Sequence, residues 1–288
     1  MTGVRVISRD RRDQLGEGLL WSDRDDAIYW TDILGRRVNR LTLGDERVES
    51  WATPETIGWL IERRDRPGFI AGHGREIVRL TLDPFAIETL AAPEPDRDGN
   101  RMNDAKADGA GRIWAGTMPF TADRPTGAFY RLDSDGTVTR VDDGYRITNG
   151  PAIAPDGRHL FHTDTGIRTI FRFVINDDGS LGRREPFVVF EDGWGSPDGM
   201  TLDAYGGLWV ACWGGSCVTR FTAEGKRDRS ISLPASQITN VTFAGPDLDR
   251  MFVTSAADGV EDAEPNAGAL FEVMDHGCRG LPTQRYAG

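Results

Sequence analysis

Oxygen-bearing side chains suited to holding a hard cation recur in similar local surroundings. Glu17 sits in Gly16-Glu17-Gly18, Asn149 in Thr148-Asn149-Gly150-Pro151, and Asp198 in Pro197-Asp198-Gly199-Met200. Asn103 and Asn240 occupy related positions, and Ile57-Gly58 takes the sixth. Placing two carboxylates among glycines and apolar residues near one point is costly unless a counter-charge accompanies them. A divalent cation held by Glu17, Asp198 and an Asn carbonyl removes that cost and leaves coordination positions for water. All-oxygen ligation favours Ca²⁺, Mg²⁺, Mn²⁺ or Fe²⁺, with Zn²⁺ also admitted, over the thiolate-rich sites that select zinc or copper. Such an open site could polarise an ester carbonyl and acidify a bound water, with a nearby carboxylate taking the proton.

These positions are related because the chain repeats. Short runs recur at Tyr29-Trp30-Thr31-Asp32, Phe69-Ile70-Ala71-Gly72, Ile113-Trp114-Ala115-Gly116, Leu160-Phe161-His162-Thr163, Leu208-Trp209-Val210-Ala211 and Met251-Phe252-Val253-Thr254. Their second positions are 40, 44, 47, 48 and 43 residues apart, usually behind a turn such as Pro155-Asp156-Gly157. A second patch follows each run, as in Val38-Asn39-Arg40-Leu41 and Phe129-Tyr130-Arg131-Leu132. Arg fills its third place in five units and Glu272 in the sixth. Strand-length segments rich in β-branched and aromatic residues at this period describe a propeller blade of four strands. The expected fold is therefore all-β, a six-bladed β-propeller forming a single domain over residues 1–288. The first strand of every blade lines the central channel, and Glu17, Asn103, Asn149, Asp198 and Asn240 just precede it. Repeat symmetry thus brings them together on the axis. The recurring Arg and aromatic patches read as blade packing.

The bulk composition narrows the partners. With 39% hydrophobic and 27% charged residues the chain has a globular composition, and 35 Gly with 15 Pro imply many turns. A formal charge of −11 repels nucleic acid and anionic membranes, which leaves a cation or a small neutral molecule. The first ten residues carry no apolar signal core, and no stretch approaches the ~18 apolar residues that span a bilayer. A cytoplasmic monomer is expected. Cys212, Cys217 and Cys278 are too few for a disulfide framework and read as reduced thiols.

Competing chemistries lack their motifs. His73, His159, His162 and His276 show no metal-ligand spacing, and on a strand His159 and His162 face opposite sides. Neither Ser196 nor Ser216 sits in a Gly-x-Ser-x-Gly elbow, and no glycine run forms a nucleotide fingerprint.

As a set, several motifs resemble the SMP-30/gluconolactonase/regucalcin-like family across nearly the whole chain. They are Leu15-Gly16-Glu17-Gly18 with Trp21, Tyr29-Trp30-Thr31-Asp32-Ile33, Asn100-Arg101-Met102-Asn103-Asp104-Ala105-Lys106, Ala115-Gly116-Thr117-Met118, Thr148-Asn149-Gly150-Pro151-Ala152 and Ser196-Pro197-Asp198-Gly199-Met200 with Trp209. The resemblance implies a six-bladed propeller that hydrolyses aldonolactones with one divalent cation. It implies Glu17, Asn149 and Asp198 as metal ligands, with Asp198 also the general base. It implies Arg101, Asn103 and Asp104, all in one loop, as substrate-binding residues. Animal members carry acidic residues shortly after the Ala-Gly-Thr-Met motif, whereas Pro119-Phe120-Thr121 follows here. The expected activity is opening of a five- or six-carbon sugar-acid lactone, such as a xylono-, arabinono- or gluconolactone, to the aldonic acid. Two other readings stand beside it: a non-catalytic propeller binding a cation or a protein partner, and a related hydrolase of organophosphates or other esters.

Overall fold

The computed structural model describes residues 3–260 and 264–288; residues 1–2, at the start of the segment read for a signal core, and 261–263 lie outside the description. Six four-stranded antiparallel sheets form the blades. Their inner strands are Gly16–Ser22, Ile57–Glu62, Asn100–Ala107, Thr148–Ile153, Ser196–Leu202 and Ile238–Ala244. Each inner strand contacts the next, and the last returns to the first, which closes a ring around one axis. The protein is therefore the six-bladed β-propeller its repeat implies. Among the described residues no helix is long and apolar enough to cross a membrane.

Burial falls outward along each blade. The second strand Ala27–Asp32 is buried at every residue, whereas the outer strand Phe85–Ala91 is mostly exposed. The recurring apolar runs are thus the second strands, packed between neighbouring blades on both faces. Trp30, Trp114 and Trp209 lie there fully buried, and each indole N–H finds a carboxylate: Asp13 at 2.9 Å, Asp108 at 2.8 Å and Asp203 at 2.9 Å. Arg9, Arg112 and Arg220 neutralise these three acids. The buried polar end of each Trp is satisfied in this way, as burial requires.

The recurring Arg of the third strand is a packing feature, as its repetition suggests. Arg40 pairs with Glu49 and Arg79 with Glu88, each directly across from it on the outer strand. The sixth blade reverses this polarity. Its outer strand is the N-terminal Val4–Val6, paired with Leu270–Val273 so that Arg5 lies opposite Glu272. Glu272 accepts from Arg5 Nε at 3.0 Å and from Arg250 Nε at 2.7 Å. The exception in the sequence pattern therefore marks where the two ends of the chain close the ring.

The histidines and cysteines are structural. His162 is buried and stacked on Phe129 with ring centroids 3.8 Å apart, and burial pushes its pKa down to about 3. His159 is partly exposed and contacts Asp156, so the two rings do occupy different environments. All three cysteines are free and buried, with Cys212 and Cys217 opposite each other across two strands.

Replacing Glu272 by Ala leaves Arg250 without its counter-charge and Arg5 with only the exposed Glu46. Partly exposed as this cluster is, the expected cost is roughly 1–2 kcal/mol, or about 2–6 °C in Tm by calorimetry. An unchanged melt would show that the charge pair contributes nothing to ring closure.

Candidate active site

Every inner strand breaks register near its start. The breaks lie between Glu17 and Leu20, Ile57 and Trp59, Met102 and Ala105, Asn149 and Ala152, Pro197 and Met200, and Ile238 and Asn240. A β-bulge inserts unpaired residues, bends the strand and re-aims a side chain. Glu17, Asn103, Asp104, Asn149, Asp198 and Asn240 all lie within or beside these bulges. They do not precede the first strands, as the sequence suggests, but form part of them. Glycine makes this geometry accessible. Gly18 and Gly150 have φ of 59° and 42°, and a Cβ on Gly150 would lie 2.9 Å from the Asp198 carbonyl oxygen of the next blade.

Around the axis the side chains form two hydrogen-bonded groups, buried except at Thr165. Glu17 Oε2 accepts from Asn240 Nδ2 at 2.7 Å and from the Gly18 amide at 2.9 Å. Arg101 Nη1 donates to Asn103 Oδ1 at 2.5 Å, and Asn103 Nδ2 donates to Asn149 Oδ1 at 2.7 Å. Asn149 Nδ2 in turn donates to Thr165 Oγ1 at 2.9 Å, and Thr165 donates to the Pro197 carbonyl at 2.7 Å, beside Asp198. One chain of hydrogen bonds thus runs from the third blade to the fifth. Asp198 Oδ1 is buried without a partner.

Charge at this point is unbalanced. Burial, and then the neighbouring Asp104 charge, push the Glu17 pKa up to about 8. Burial, with Glu17 and Asp104 nearby, drives the Asp198 carboxyl well above the usual carboxylate range. Arg101 is the cation of the site, lowered to about 10 by burial although Glu17 and Asp198 favour its charged form. Among the described residues no carboxylate forms an ion pair with Arg101, and the nearby Asp98 pairs with Arg75. The guanidinium therefore keeps donors free for a ligand.

The donor set suits a divalent cation. Glu17, Asp198 and the Asn149 carbonyl are oxygen donors from three blades, and Asp198 Oδ1 is a buried oxygen that no hydrogen bond satisfies. Among the described residues no three His, Cys, Asp or Glu side chains cluster, so the amide oxygen of Asn149 is needed to complete the set. Asp104 is arranged differently from its neighbours. Its Oδ1 accepts from the Ala105 amide at 2.7 Å and its Oδ2 from the Gly150 amide at 2.9 Å. Oδ1 thus braces the third blade's own bulge, and Oδ2 ties it to the fourth.

A family model described as SMP-30/Gluconolactonase/LRE-like region matches residues 15–257. The chain belongs to this family. Pentonolactonase XacC of Haloferax volcanii is 35% identical over 294 residues, covering 99% of this chain and 98% of the relative. L-arabinolactonase of Azospirillum brasilense is 31% identical over 293 residues, covering 99% and 96%. A solved regucalcin from Agrobacterium tumefaciens, described as a calcium-binding protein, superposes with a TM-score of 0.94 at 28% identity, covering 100% of this chain and 98% of that one.

Two residues of the network escape a reading of the family motifs. Asn240 carries the repeat signal and was expected only to form hydrogen bonds on the axis; its specific partner is Glu17. Thr165 lies after a second strand, in the short turn Thr165–Ile167, where no repeat or motif points to it.

The raised Glu17 pKa has a thermodynamic consequence. Between the usual 4.5 and about 8, the folded metal-free protein holds a proton that the unfolded chain has released. Stability of the metal-free protein should therefore fall as pH rises through that window. Glu17→Gln removes the charge and should flatten the slope, making the variant the more stable protein at pH 8 in urea unfolding. Equal slopes in the two proteins would contradict the buried, uncompensated carboxylate.

Proposed function

We propose that this protein is a divalent-metal-dependent lactonase, a hydrolase that opens a five- or six-carbon sugar-acid lactone to the aldonic acid. The observation that carries this reading is the pair of buried carboxylates on the axis, Glu17 and Asp198, with one Asp198 oxygen unpartnered beside an Arg101 that no acid neutralises. The names of the relatives, a pentonolactonase and an L-arabinolactonase, support sugar lactone hydrolysis, and a regucalcin described as calcium-binding supports a divalent metal.

In this reading Glu17, Asn149 and Asp198 hold the cation. When bound, it supplies electrophilic polarisation of the lactone carbonyl. Asn240 holds Glu17 through Oε2, and Thr165 fixes Asn149 through its amide nitrogen, so the ligating oxygens are oriented before substrate arrives. Arg101 donates to the oxygens of the sugar ring, Asn103 accepts from a sugar hydroxyl through Oδ1 because its amide hydrogens are held by Thr148 and Asn149, and Asp104 keeps their bulge in place. Asp198 takes a proton from the water that attacks the carbonyl. The new C–O bond forms as the ring C–O bond breaks, and the proton taken by Asp198 is then available to the departing ring oxygen. The product is a hydroxy acid, which releases a proton at neutral pH. That proton is the assay signal.

Acid release from a panel of aldonolactones, with metal-stripped protein and with Ca²⁺, Mg²⁺, Mn²⁺, Zn²⁺ or Fe²⁺ restored, tests this directly. Turnover above the spontaneous rate should return with at least one metal. Asp198→Ala and Glu17→Ala should each lower kcat/KM more than 100-fold without changing the far-UV spectrum. Full activity in both would sink the mechanism, and no turnover of any lactone would return the protein to the scaffold or phosphoester readings.

Asn240→Ala tests the orienting role. It should weaken metal affinity about 10–100-fold, read by calorimetric titration of the metal alone, while Asn240→Gln recovers part of it. Unchanged affinity in Asn240→Ala would remove Asn240 from the site.

A further inference from the structure

A cavity of about 260 Å³ runs along the channel from Gly18 and Asp104, beside the bulges, to the segment 281–284. Its walls are the far halves of the inner strands, with Leu60, Ile153 and Leu202 among the apolar residues. The segment 281–284 covers it. This segment belongs to a C-terminal strap held at both ends by backbone hydrogen bonds. Near its start, the Arg279 carbonyl accepts from Ala204 and the Gly280 amide donates to Leu248, in the turns of the fifth and sixth blades. Near its end, Tyr286 bonds Glu62 and Arg64 of the second blade, and Ala287 bonds Gly111 of the third. In a ring of six, the second and third blades stand opposite the fifth and sixth. The strap must therefore cross the axis, and Arg285 locks it by ion pairs with Glu62 and Asp23.

One group in this cavity is unaccounted for. Lys106, one of only two lysines in the chain, lines the cavity and forms no hydrogen bond or ion pair through its side chain among the described residues. The acid that acts on it is Asp104, whose two oxygens are already committed to backbone amides. Thr201 and Thr242 line the same cavity and are register-equivalent to Lys106. Lys106 lies opposite Trp114, Thr201 opposite Trp209 and Thr242 opposite Phe252, each partner being the second residue of its blade's repeat. An ammonium and two hydroxyls thus face a chamber of mixed lining, in which Asp104 is held by backbone amides and Asp108 by Arg112 and Trp114, so neither acid pairs directly with Lys106. The apolar side chains beside the ammonium suit a ligand with one charged and one apolar end.

We propose that this chamber is a second ligand site, separate from the axial carboxylates, that binds a small monocarboxylate with a compact apolar body. The carboxylate meets the Lys106 ammonium and the Thr201 and Thr242 hydroxyls. The apolar body lies against Leu60, Ile153 and Leu202 beneath the strap. A polyhydroxylated sugar acid does not match these walls, so the site stands independently of the lactonase reading.

The scarcity of lysine makes the test specific. Reductive ¹³C-methylation of the full-length protein labels only Lys106, Lys226 and the N-terminus, and their NMR signals can be followed during titration with octanoate. The Lys106 signal should shift saturably while Lys226 stays fixed, and 1-octanol should bind at least tenfold more weakly. Calorimetry should show that Lys106→Met lowers octanoate affinity at least tenfold and that Lys106→Arg recovers most of it. The proposal is overturned if Lys106 does not shift, if Lys226 shifts equally, if 1-octanol binds as well as octanoate, or if Lys106→Met binds octanoate like the unmodified chain.

Discussion

Two carboxylates placed on one axis, away from water, are the constraint around which the rest of this protein is arranged. Like charges in such surroundings raise each other's pKa, and each must be protonated, paired or coordinated. Glu17 and Asp198 come from the first and fifth blades, and their nearest cation, Arg101, comes from the third. No single blade could bring these charges together. The site therefore exists only when the ring is closed, which makes its assembly part of folding.

Ring closure depends on the chain ends. The N-terminal strand completes the sixth blade, and its Arg5 supplies the charge that Glu272 requires. The C-terminal strap joins opposite sides of the ring beneath the channel. Both devices tie residues far apart in sequence, so they oppose the tendency of a propeller to open at one blade junction. They also give the channel two unlike ends: a polar, charged one formed by the bulges, and one of mixed apolar and polar lining beneath the strap.

Much of this was legible in the sequence, for identifiable reasons. The second strands are buried on both faces and so must be continuously apolar, which makes Trp30, Trp114 and Trp209 a visible repeat. The inner strands show through their relation to those runs, and this was enough to gather Glu17, Asn103, Asn149, Asp198 and Asn240. The substitution of Glu272 for a recurring Arg was also visible, but its meaning was not, because its partner Arg5 lies 267 residues away. The anchoring of Asp104 was hidden for a related reason. Its bond to the Gly150 amide depends on how closely two inner strands approach, and no motif records that distance.

The sequence by itself determined the number of blades, the identity of the axial residues and the family, because a periodic chain carries the same local instructions six times. Tertiary structure alone decided where those side chains point. The bulges turn them inward, glycine lets neighbouring inner strands meet, and closure of the ring sets Asn240 against Glu17 and Thr165 against Asn149. The strap over the far end of the channel, and the lone Lys106 beneath it, were equally hidden. Contacts across a ring are fixed by its curvature and closure, and neither is a property of any one repeat.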